Sequence, residues 1–194
     1  MFTGIIEALG VVVSMQEEGS NVRFNIASPI SHELKVDQSV SHNGVCLTVE
    51  RRGELQHSVV AIDETLSKST LRDWRVSTRL NIERSMVANS RFDGHIVQGH
   101  VDQIGVCKKI KVENGSWLID FEYDASLGNV TVEKGSIAVN GVSLTCFNSK
   151  VNGFRVAIIP YTFEHTNFHQ LKVGDAVNLE FDVIGKYVKR LVGK

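Results

Sequence analysis

Two short segments of this chain carry a potential nucleophile at the same position. Residues 43–48 read NGVCLT and residues 140–145 read NGVSLT, so that Cys46 in one copy is matched by Ser143 in the other. The copies lie 97 positions apart, half of the 194-residue chain, which indicates a duplicated domain rather than a chance turn motif. A thiol and a hydroxyl at matched positions predict two related sites with different chemistry. A free cysteine is more often a small buried hydrophobic residue, and that interpretation of Cys46 stays open.

Other polar residues repeat at the same offset. The matched pairs are Ser39 and Ser136, Thr65 and Thr162, Ser69 and Thr166, Asn81 and Asn178, and Glu83 and Glu180. Towards the amino terminus the offset falls to 95, which aligns Gly4 with Gly99. Because solenoid repeats span only about 20–50 residues, a repeat of this length predicts two whole domains.

Histidines are distributed unequally between the copies. His95 and His100 both lie in the segment GHIVQGH, and the residue that matches His100 in the first copy is Ile5. A zinc site needs more ligands at tighter spacing, and five residues along an extended segment place the two rings on opposite faces. The pattern favours a neutral imidazole that transfers a proton at His100, with a structural histidine as the open alternative.

Two charged residues also differ between the copies. Asp182 follows the last alternating segment at the position where the first copy has Ser85. It is a candidate electrostatic group, although it could equally cap a terminal helix. Lys134 replaces an aspartate of the first copy and is more often a solvated surface charge. The matched Thr48 and Thr145 are either site residues or ordinary strand formers.

Composition excludes several classes of protein. The chain has neither a phosphate-binding glycine loop nor a dinucleotide fingerprint, so ATP and nicotinamide chemistry are not expected, and it lacks the esterase serine elbow. With 21 basic and 22 acidic residues the net charge is −1, which disfavours nucleic acid and membrane surfaces as partners. Three widely spaced cysteines and the absence of a leader-like or membrane-spanning stretch predict a cytoplasmic protein.

Hydrophobic residues alternate with period two through most of the sequence, as at 117–123 and 177–181, and turn signals separate these stretches. Each half is therefore predicted to be a small closed antiparallel barrel or sandwich, with the domains at residues 1–88 and 89–184. One-turn helices are predicted after Asp63 and Pro160. Residues 185–194 are predicted as a terminal amphipathic helix that either packs on its own domain or mediates self-association.

Several blocks, in order, resemble the riboflavin synthases. They are MFTGI at the amino terminus, NGVCLTV, DETL, GHIVQGHVD, KGSIAVNGVSLT and the carboxy-terminal VNLEFDVIGKYVKR. The resemblance covers essentially the whole chain. It implies an all-β protein of two tandem six-stranded Greek-key β-barrels with short helices and a carboxy-terminal helix, assembled as a homotrimer through those helices.

The reaction implied by the resemblance is the dismutation of two molecules of 6,7-dimethyl-8-ribityllumazine. A four-carbon unit passes from one to the other, which gives riboflavin and 5-amino-6-(D-ribitylamino)uracil without a cofactor or metal. The resemblance also implies an active site between the amino-terminal barrel of one subunit and the carboxy-terminal barrel of its neighbour, and it leaves open an association with a lumazine synthase.

The resemblance further implies roles for individual residues. The catalytic candidates are Cys46, His100, Ser143, Thr145 and Asp182, with His100 acting together with Ser143 and Thr145 on one substrate and Cys46 close to the other. Ser39 and Lys134 are expected at the subunit boundary. The substrate-binding candidates are Gly4, Ile5, Ile6, Ser39, Cys46, Leu47, Thr48, Val60, Ala61, Ile62, Asp63, Glu64, Thr65, Gly99, His100, Val101, Lys134, Ser143, Leu144, Thr145, Ala157, Ile158, Ile159, Pro160, Tyr161 and Thr162.

Two other functions compete with this interpretation. A lumazine or flavin carrier without enzyme activity, such as the antenna proteins of luminous bacteria, would share the fold but lack part of the catalytic set. A β-barrel oligonucleotide binder is disfavoured because the chain lacks a basic groove and the aromatic platforms on which bases stack.

Overall fold

The computed structural model describes residues 1–193, and its strands fall into two sets that follow the sequence repeat. The first set consists of β1 (Ala8–Glu18), β2 (Asn21–Ala27), β3 (Ser39–His42), β4 (Val45–Arg52), β5 (Gln56–Ala61) and β6 (Arg79–Arg84). Helix α1 (Asp63–Lys68) lies between β5 and β6.

The second set consists of β7 (Gln103–Glu113), β8 (Ser116–Glu122), β9 (Ser136–Val139), β10 (Val142–Thr145), β11 (Phe147–Lys150), β12 (Gly153–Ile158) and β13 (Ala176–Phe181). Helix α2 (Pro160–His165) lies between β12 and β13, as α1 does in the first set, and α3 (Val183–Val192) follows β13. Short 3-10 turns occupy Ser31–Glu33, Thr70–Asp73, Ala125–Leu127 and Asn167–Gln170.

The first set forms a closed barrel in the order β1, β2, β5, β4, β3, β6, and pairing of β1 with β6 completes the circle. Strand β6 returns beside β3 at the edge of the β3–β4–β5 meander, which is a Greek-key arrangement. Closure leaves no free strand edge in this half. The predicted six-stranded barrel is thus observed in the first half.

The second set is a curled seven-stranded sheet in the order β10, β9, β13, β7, β8, β12, β11. It repeats the first topology, except that the counterpart of β4 is divided into β10 and β11 at Cys146. Asn148, within β11, has a left-handed φ of 49°, which interrupts regular strand pairing. The second half therefore has the predicted order of strands with one strand split, and it is a curled seven-stranded sheet where a closed six-stranded barrel was predicted.

Alternating side chains fill a separate core in each half. In the first core, Phe24 and Ile26 of β2 are fully buried, and Phe24 meets Trp74 edge to face at 5.2 Å between ring centroids. In the second core, Ile119 and Phe121 of β8 have the corresponding places. Burial of every second residue is what the period-two pattern predicts.

The two halves meet at their repeated Asn-Gly turns. Asn43 and Gly44 both have positive φ, as do Asn140 and Gly141, which is the backbone conformation of a tight hairpin turn. A Cβ atom on Gly44 would lie 2.7 Å from the amide nitrogen of Gly141, so the turns pack backbone to backbone. The side chain of Asn178 donates to the carbonyl of Asn43 at 2.8 Å, and Asn81 donates to Asn140 at 2.9 Å.

Helix α3 begins at Val183, two residues before the predicted position, and Lys194 of the predicted helix lies outside the described residues. Ile184, Tyr187 and Leu191 on this helix are exposed within the single chain. None of the helices in residues 1–193 has both the length and the apolar composition needed to cross a membrane.

Candidate functional site

The segments that precede each half pack against the opposite half. The amide of Cys46, in the first barrel, donates to the carbonyl of Gly99 at 2.8 Å, and the amide of Ser143, in the second half, donates to Gly4 at 2.8 Å. Phe2 and Val97 form an antiparallel bridge between the two segments. Cys46 and Ser143 are therefore each covered by a chain segment that comes from the other half of the sequence.

Glycine is required where these segments meet the strands. Gly99 and Gly4 have φ angles of 81° and 80°, in the left-handed region that side chains disfavour. A Cβ on Gly99 would lie 2.6 Å from the Cβ of Cys46, and one on Gly4 would lie 2.6 Å from the Cβ of Ser143. The backbone of each segment is thus in direct contact with the residue expected to do chemistry.

Two buried glutamates hold the crossing segments in place. Glu180 accepts hydrogen bonds from the amides of Gln98, Gly99 and His100 at 2.6–3.0 Å. Its repeat partner Glu83 accepts from the amide and hydroxyl of Thr3 and from the amide of Gly4. Burial raises the pKa of Glu83 to about 6, although these hydrogen bonds favour the carboxylate and oppose the rise. The repeated Glu83 and Glu180 are therefore anchors for the two sites.

A cavity of about 370 Å³ lies between α1 and the 99–101 segment. Its lining consists of Val45, Cys46, Glu64, Thr65, Lys68, Ser69, Gly99, His100 and Val101. Six of these residues were predicted for the site, and Val45, Lys68 and Ser69 were not. The helical spacing of Lys68 from Glu64 is the sequence signal that could have placed it there, and the two side chains are joined at 2.8 Å.

Among the three cysteines, Cys46 is the one beside a cavity. Cys107 and Cys146 are buried in the second core, and burial raises the pKa of Cys107 to about 11 and that of Cys146 to about 12. Both of these thiols are therefore protonated at neutral pH and act as small hydrophobic residues. Cys46 is partly exposed and does not fit the buried alternative.

His100 is exposed and borders the cavity that contains Cys46. Between residues 1 and 193, no hydrogen bond joins it to Ser143 or Thr145 of the same chain. The expected group of His100, Ser143 and Thr145 is thus not formed within one chain, and its formation across two chains stays a prediction.

Ser143 is instead hydrogen-bonded to His95, with 2.6 Å between its Oγ and the imidazole Nδ1. The sequence suggests no role for His95 other than a disfavoured metal site, and no cluster of three or more potential metal ligands occurs in the described chain. Burial lowers the pKa of His95, while the nearby negative charge of Asp182 raises it. No sequence motif signals this pair, because the residues are 48 positions apart.

Asp182 caps α3, accepting a hydrogen bond at 3.0 Å from the amide of Ile184. The capping role, weighed as an alternative, is therefore present, and the electrostatic effect on His95 exists beside it. Asp182 also lines a cavity of about 360 Å³ with Lys186, Lys189 and Arg190. Its carboxylate thus links the terminal helix to the Ser143 side of the molecule.

The remaining predicted residues are divided between surface and core. Ser39 lies opposite Thr48 in the β3–β4 register, and Lys134 is exposed with its Nζ 5.7 Å from the ring centroid of Phe147. Ile5, Thr48, Ile62, Asp63, Thr145, Ala157, Ile159, Pro160 and Tyr161 are exposed, and Ile6, Val60, Leu144 and Thr162 are partly buried. Leu47, Ala61 and Ile158 are buried in the two cores, so only their backbone is free to meet a ligand.

The second half has stacked aromatic side chains on and beside helix α2. The rings of Trp117 and Phe163 stack with centroids 3.7 Å apart and planes 3° from parallel. Tyr161 stacks on His165 at 4.0 Å. Phe163 and Tyr161 belong to α2, the repeat partner of α1, so the two halves differ in the side chains of this helix as well as at Cys46 and Ser143.

The family model and the relatives of known name point to the same family. The family model for the lumazine binding domain matches this chain twice, over residues 3–85 and 98–182. The chain is similar to the riboflavin synthase of Bacillus subtilis, with 38% identity over all of this chain and 91% of that protein. It is also similar to the riboflavin synthase of Mycobacterium tuberculosis, with 39% identity over 99% of this chain and 98% of that protein.

Solved structures confirm the fold. The crystal structure of LumP complexed with riboflavin has a TM-score of 0.85, 22% identity, and covers 93% of this chain and 99% of that one. LumP complexed with 6,7-dimethyl-8-(1'-D-ribityl) lumazine has a TM-score of 0.83 at 21% identity and the same coverage. The family match to both halves and the full-length relatives show that the chain belongs to the riboflavin synthase family, a family of transferases.

Proposed function

We propose that this protein is a riboflavin synthase that converts two molecules of 6,7-dimethyl-8-ribityllumazine into riboflavin and 5-amino-6-(D-ribitylamino)uracil. The observation that carries the proposal is the pair of equivalent sites in which Cys46 and Ser143 are covered by Gly99 and Gly4 at the same distance of 2.8 Å. Two like sites with unlike chemistry suit a reaction between two copies of one molecule. The two products together contain all atoms of the two substrates, so the reaction needs no external oxidant or reductant.

The proposed chemistry follows from the substrate. The methyl group on C7 of the lumazine is acidic because its anion delocalises into the ring, so a base of moderate strength can start carbon–carbon bond formation. His100 is the exposed imidazole beside Cys46 and is the candidate for this proton transfer. Cys46 is the candidate nucleophile or polarising group for the other substrate, and close pairing of two flat rings adds acceleration through proximity.

We place the complete site between two subunits. The cavity of the first barrel holds Cys46 and His100, whereas Ser143, Thr145 and Asp182 belong to the second half. An arrangement in which the first barrel of one subunit faces the second half of its neighbour would bring His100 to Thr145. Ser39 and Lys134 would then line the boundary.

The proposed assembly is a homotrimer joined through α3. Ile184, Tyr187, Val188, Leu191 and Val192 are each at least half exposed in the single chain. An uncovered apolar helix face of this kind favours self-association in water. Association with a lumazine synthase and a cytoplasmic location remain predictions from the sequence.

A one-substrate assay tests the proposal. Incubation with 6,7-dimethyl-8-ribityllumazine alone should produce riboflavin and the aminouracil in equal amounts, measured by absorbance and chromatography. The double variant Cys46→Ser/His100→Gln is the matched control, since it keeps the fold and removes both candidate groups. Tight lumazine binding without product would support the alternative, a non-catalytic lumazine or flavin carrier, and would overturn the enzyme proposal.

A further inference from the structure

Ser143 has a dedicated imidazole partner that Cys46 lacks. In the first half, the backbone amide of Cys46 donates to Gly99, and no histidine of residues 1–88 lines the Cys46 cavity. His100, by contrast, is matched by Ile5 and borders the Cys46 cavity. One imidazole therefore borders the Cys46 cavity and another contacts Ser143, and both come from the GHIVQGH segment.

Burial and backbone contacts around His95 fix its position beside Ser143. The distance from Nδ1 to Oγ is 2.6 Å, and His95 is 8% exposed. The amide of His95 donates to the carbonyl of Thr3 at 3.1 Å, which ties the imidazole to the crossing segment. A Cβ on Gly94 would lie 1.9 Å from the same carbonyl oxygen, so the chain before His95 packs as closely as a glycine allows.

The electrostatic surroundings keep this imidazole available as a hydrogen-bonding partner. Burial lowers the pKa of His95, which favours the neutral ring, and the Nδ1 atom of that ring lies within hydrogen-bond distance of the Ser143 hydroxyl. The carboxylate of Asp182 acts in the opposite direction and stabilises positive charge on the ring. Ring atom Nε2 is buried without a partner among the described residues, so the bond to Ser143 is the one side-chain contact that orients the imidazole.

We infer that His95 is the positioning residue for Ser143: its Nδ1 fixes the direction of the Oγ hydroxyl in the second site. This inference rests on the proposed function, because it takes Ser143 as a residue that meets the substrate. It separates the roles of the two histidines of GHIVQGH, since His100 serves the Cys46 cavity and His95 serves Ser143. The negative charge of Asp182 acts on the imidazole of His95.

The inference is tested with variants that separate the loss of the hydrogen bond from a change in side-chain volume. His95→Phe keeps a ring but removes Nδ1. Because a misdirected group at a reaction centre costs about 100-fold in rate, kcat should fall by about that factor, with little change in KM. His95→Asn places an amide near the position of Nδ1 and should restore most of kcat. When Ser143→Ala is already present, His95→Phe should lower kcat little further, because both substitutions remove the same hydrogen bond.

His32→Asn is the matched control, since His32 is an exposed histidine of the first half and should leave kcat unchanged. Thermal unfolding of every variant should show a folded protein. Equal loss of kcat in folded His95→Asn and His95→Phe, or additive effects of His95→Phe and Ser143→Ala, would overturn the inference.

A second readout is independent of turnover. In nitrogen-15 NMR spectra of the histidine side chains, Ser143→Ala should shift the Nδ1 resonance of His95 more than its Nε2 resonance. If the wild-type protein turns over no lumazine, the proposed function fails, whereas the NMR result still decides whether His95 positions Ser143. A Nδ1 resonance that does not respond to Ser143→Ala would overturn the pairing even in an active enzyme.

Discussion

The carbonyl oxygen of Gly99 accepts a hydrogen bond from the amide of Cys46 at 2.8 Å, although the two residues are 53 positions apart. The same bond joins Gly4 to Ser143 across 139 positions. These two contacts place the start of each half over the nucleophile position of the other half. The sites therefore depend on the docking of the two halves as much as on the barrels themselves.

The Gly99 contact gives the first prediction. Gly99→Ala should lower turnover and stability, because the new Cβ would lie 2.6 Å from the Cβ of Cys46 at a φ of 81°. Gly19→Ala is the matched control, since Gly19 also has a positive φ, 66°, but a Cβ there meets nothing within 4 Å. The control should cost only the backbone strain, about 1–2 kcal/mol. Equal effects of the two variants in urea unfolding and turnover would contradict the close-packing argument.

The cavity beside α1 gives the second prediction. Cys46→Ser and His100→Gln should each slow turnover by about 100-fold, the lower end of what general acid–base groups contribute, while the barrel stays folded. His32→Gln should have no effect, because His32 is exposed and does not line this cavity. Steady-state kinetics and circular dichroism check these outcomes. An unchanged kcat in either site variant would remove that residue from the mechanism.

A buried histidine pair gives the third prediction. His42 donates from Nδ1 to the carbonyl of Val40, its Nε2 lies 2.8 Å from Nε2 of His57, and Nδ1 of His57 lies 2.9 Å from the Ser31 hydroxyl. This chain of bonds needs both rings neutral. Burial lowers the pKa of His57 to about 4 and that of His42 well below its usual value.

The direction of the pH effect follows from proton uptake. Below about pH 6.5 the unfolded chain binds protons at His42 and His57 that the folded barrel does not bind, so stability falls as the pH decreases towards 4. The repeat partners of these residues are Val139 and Phe154, both buried in the second core. The variant His42→Val/His57→Phe should therefore lose less stability than the wild type between pH 7 and pH 4, by at least about 3 kcal/mol, which is the contribution of His57 alone.

The comparison between variant and wild type is necessary because Glu83 titrates in the same pH range. Its pKa is raised to about 6, so its protonation increases stability as the pH decreases, which opposes the effect of the histidines. Glu83 is present in both proteins, so its contribution cancels in the difference. Urea unfolding at a series of pH values supplies the measurement. Parallel stability curves for the two proteins would show that the histidine pair does not titrate as described.

Helix α3 gives the fourth prediction. Leu191→Asp should convert a trimer into smaller species, because Leu191 is 73% exposed in the single chain and would be covered in the assembly. Val151→Asp is the matched control, since Val151 is 82% exposed in the turn between β11 and β12. Sedimentation equilibrium measures the mass of each. A wild-type monomer, or a trimer that survives the Leu191 change, would contradict assembly through this helix.

Much of the fold could be predicted from the sequence because it depends on local patterns. The period-two alternation at residues 117–123 defines the faces of β8, and the repeated Asn-Gly pairs define the hairpin turns at 43–44 and 140–141. The offset of 97 residues predicted that Cys46 and Ser143 occupy matched places. The division of the counterpart of β4 at Cys146 was not predicted, because no change in the hydrophobic pattern accompanies it, and the left-handed backbone at Asn148 that disturbs the pairing of β11 with β12 has no hydrophobic signal either.

The sequence by itself therefore determined the repeated all-β halves and the matched positions of Cys46 and Ser143. Only the tertiary structure decided which imidazole lies near which of these two residues. His95 reaches Ser143, and Gly99 covers Cys46, because the two halves dock through their Asn-Gly turns. Contacts between residues so far apart in sequence depend on how two packed surfaces fit together, and neither local propensity nor hydrophobic period records that fit.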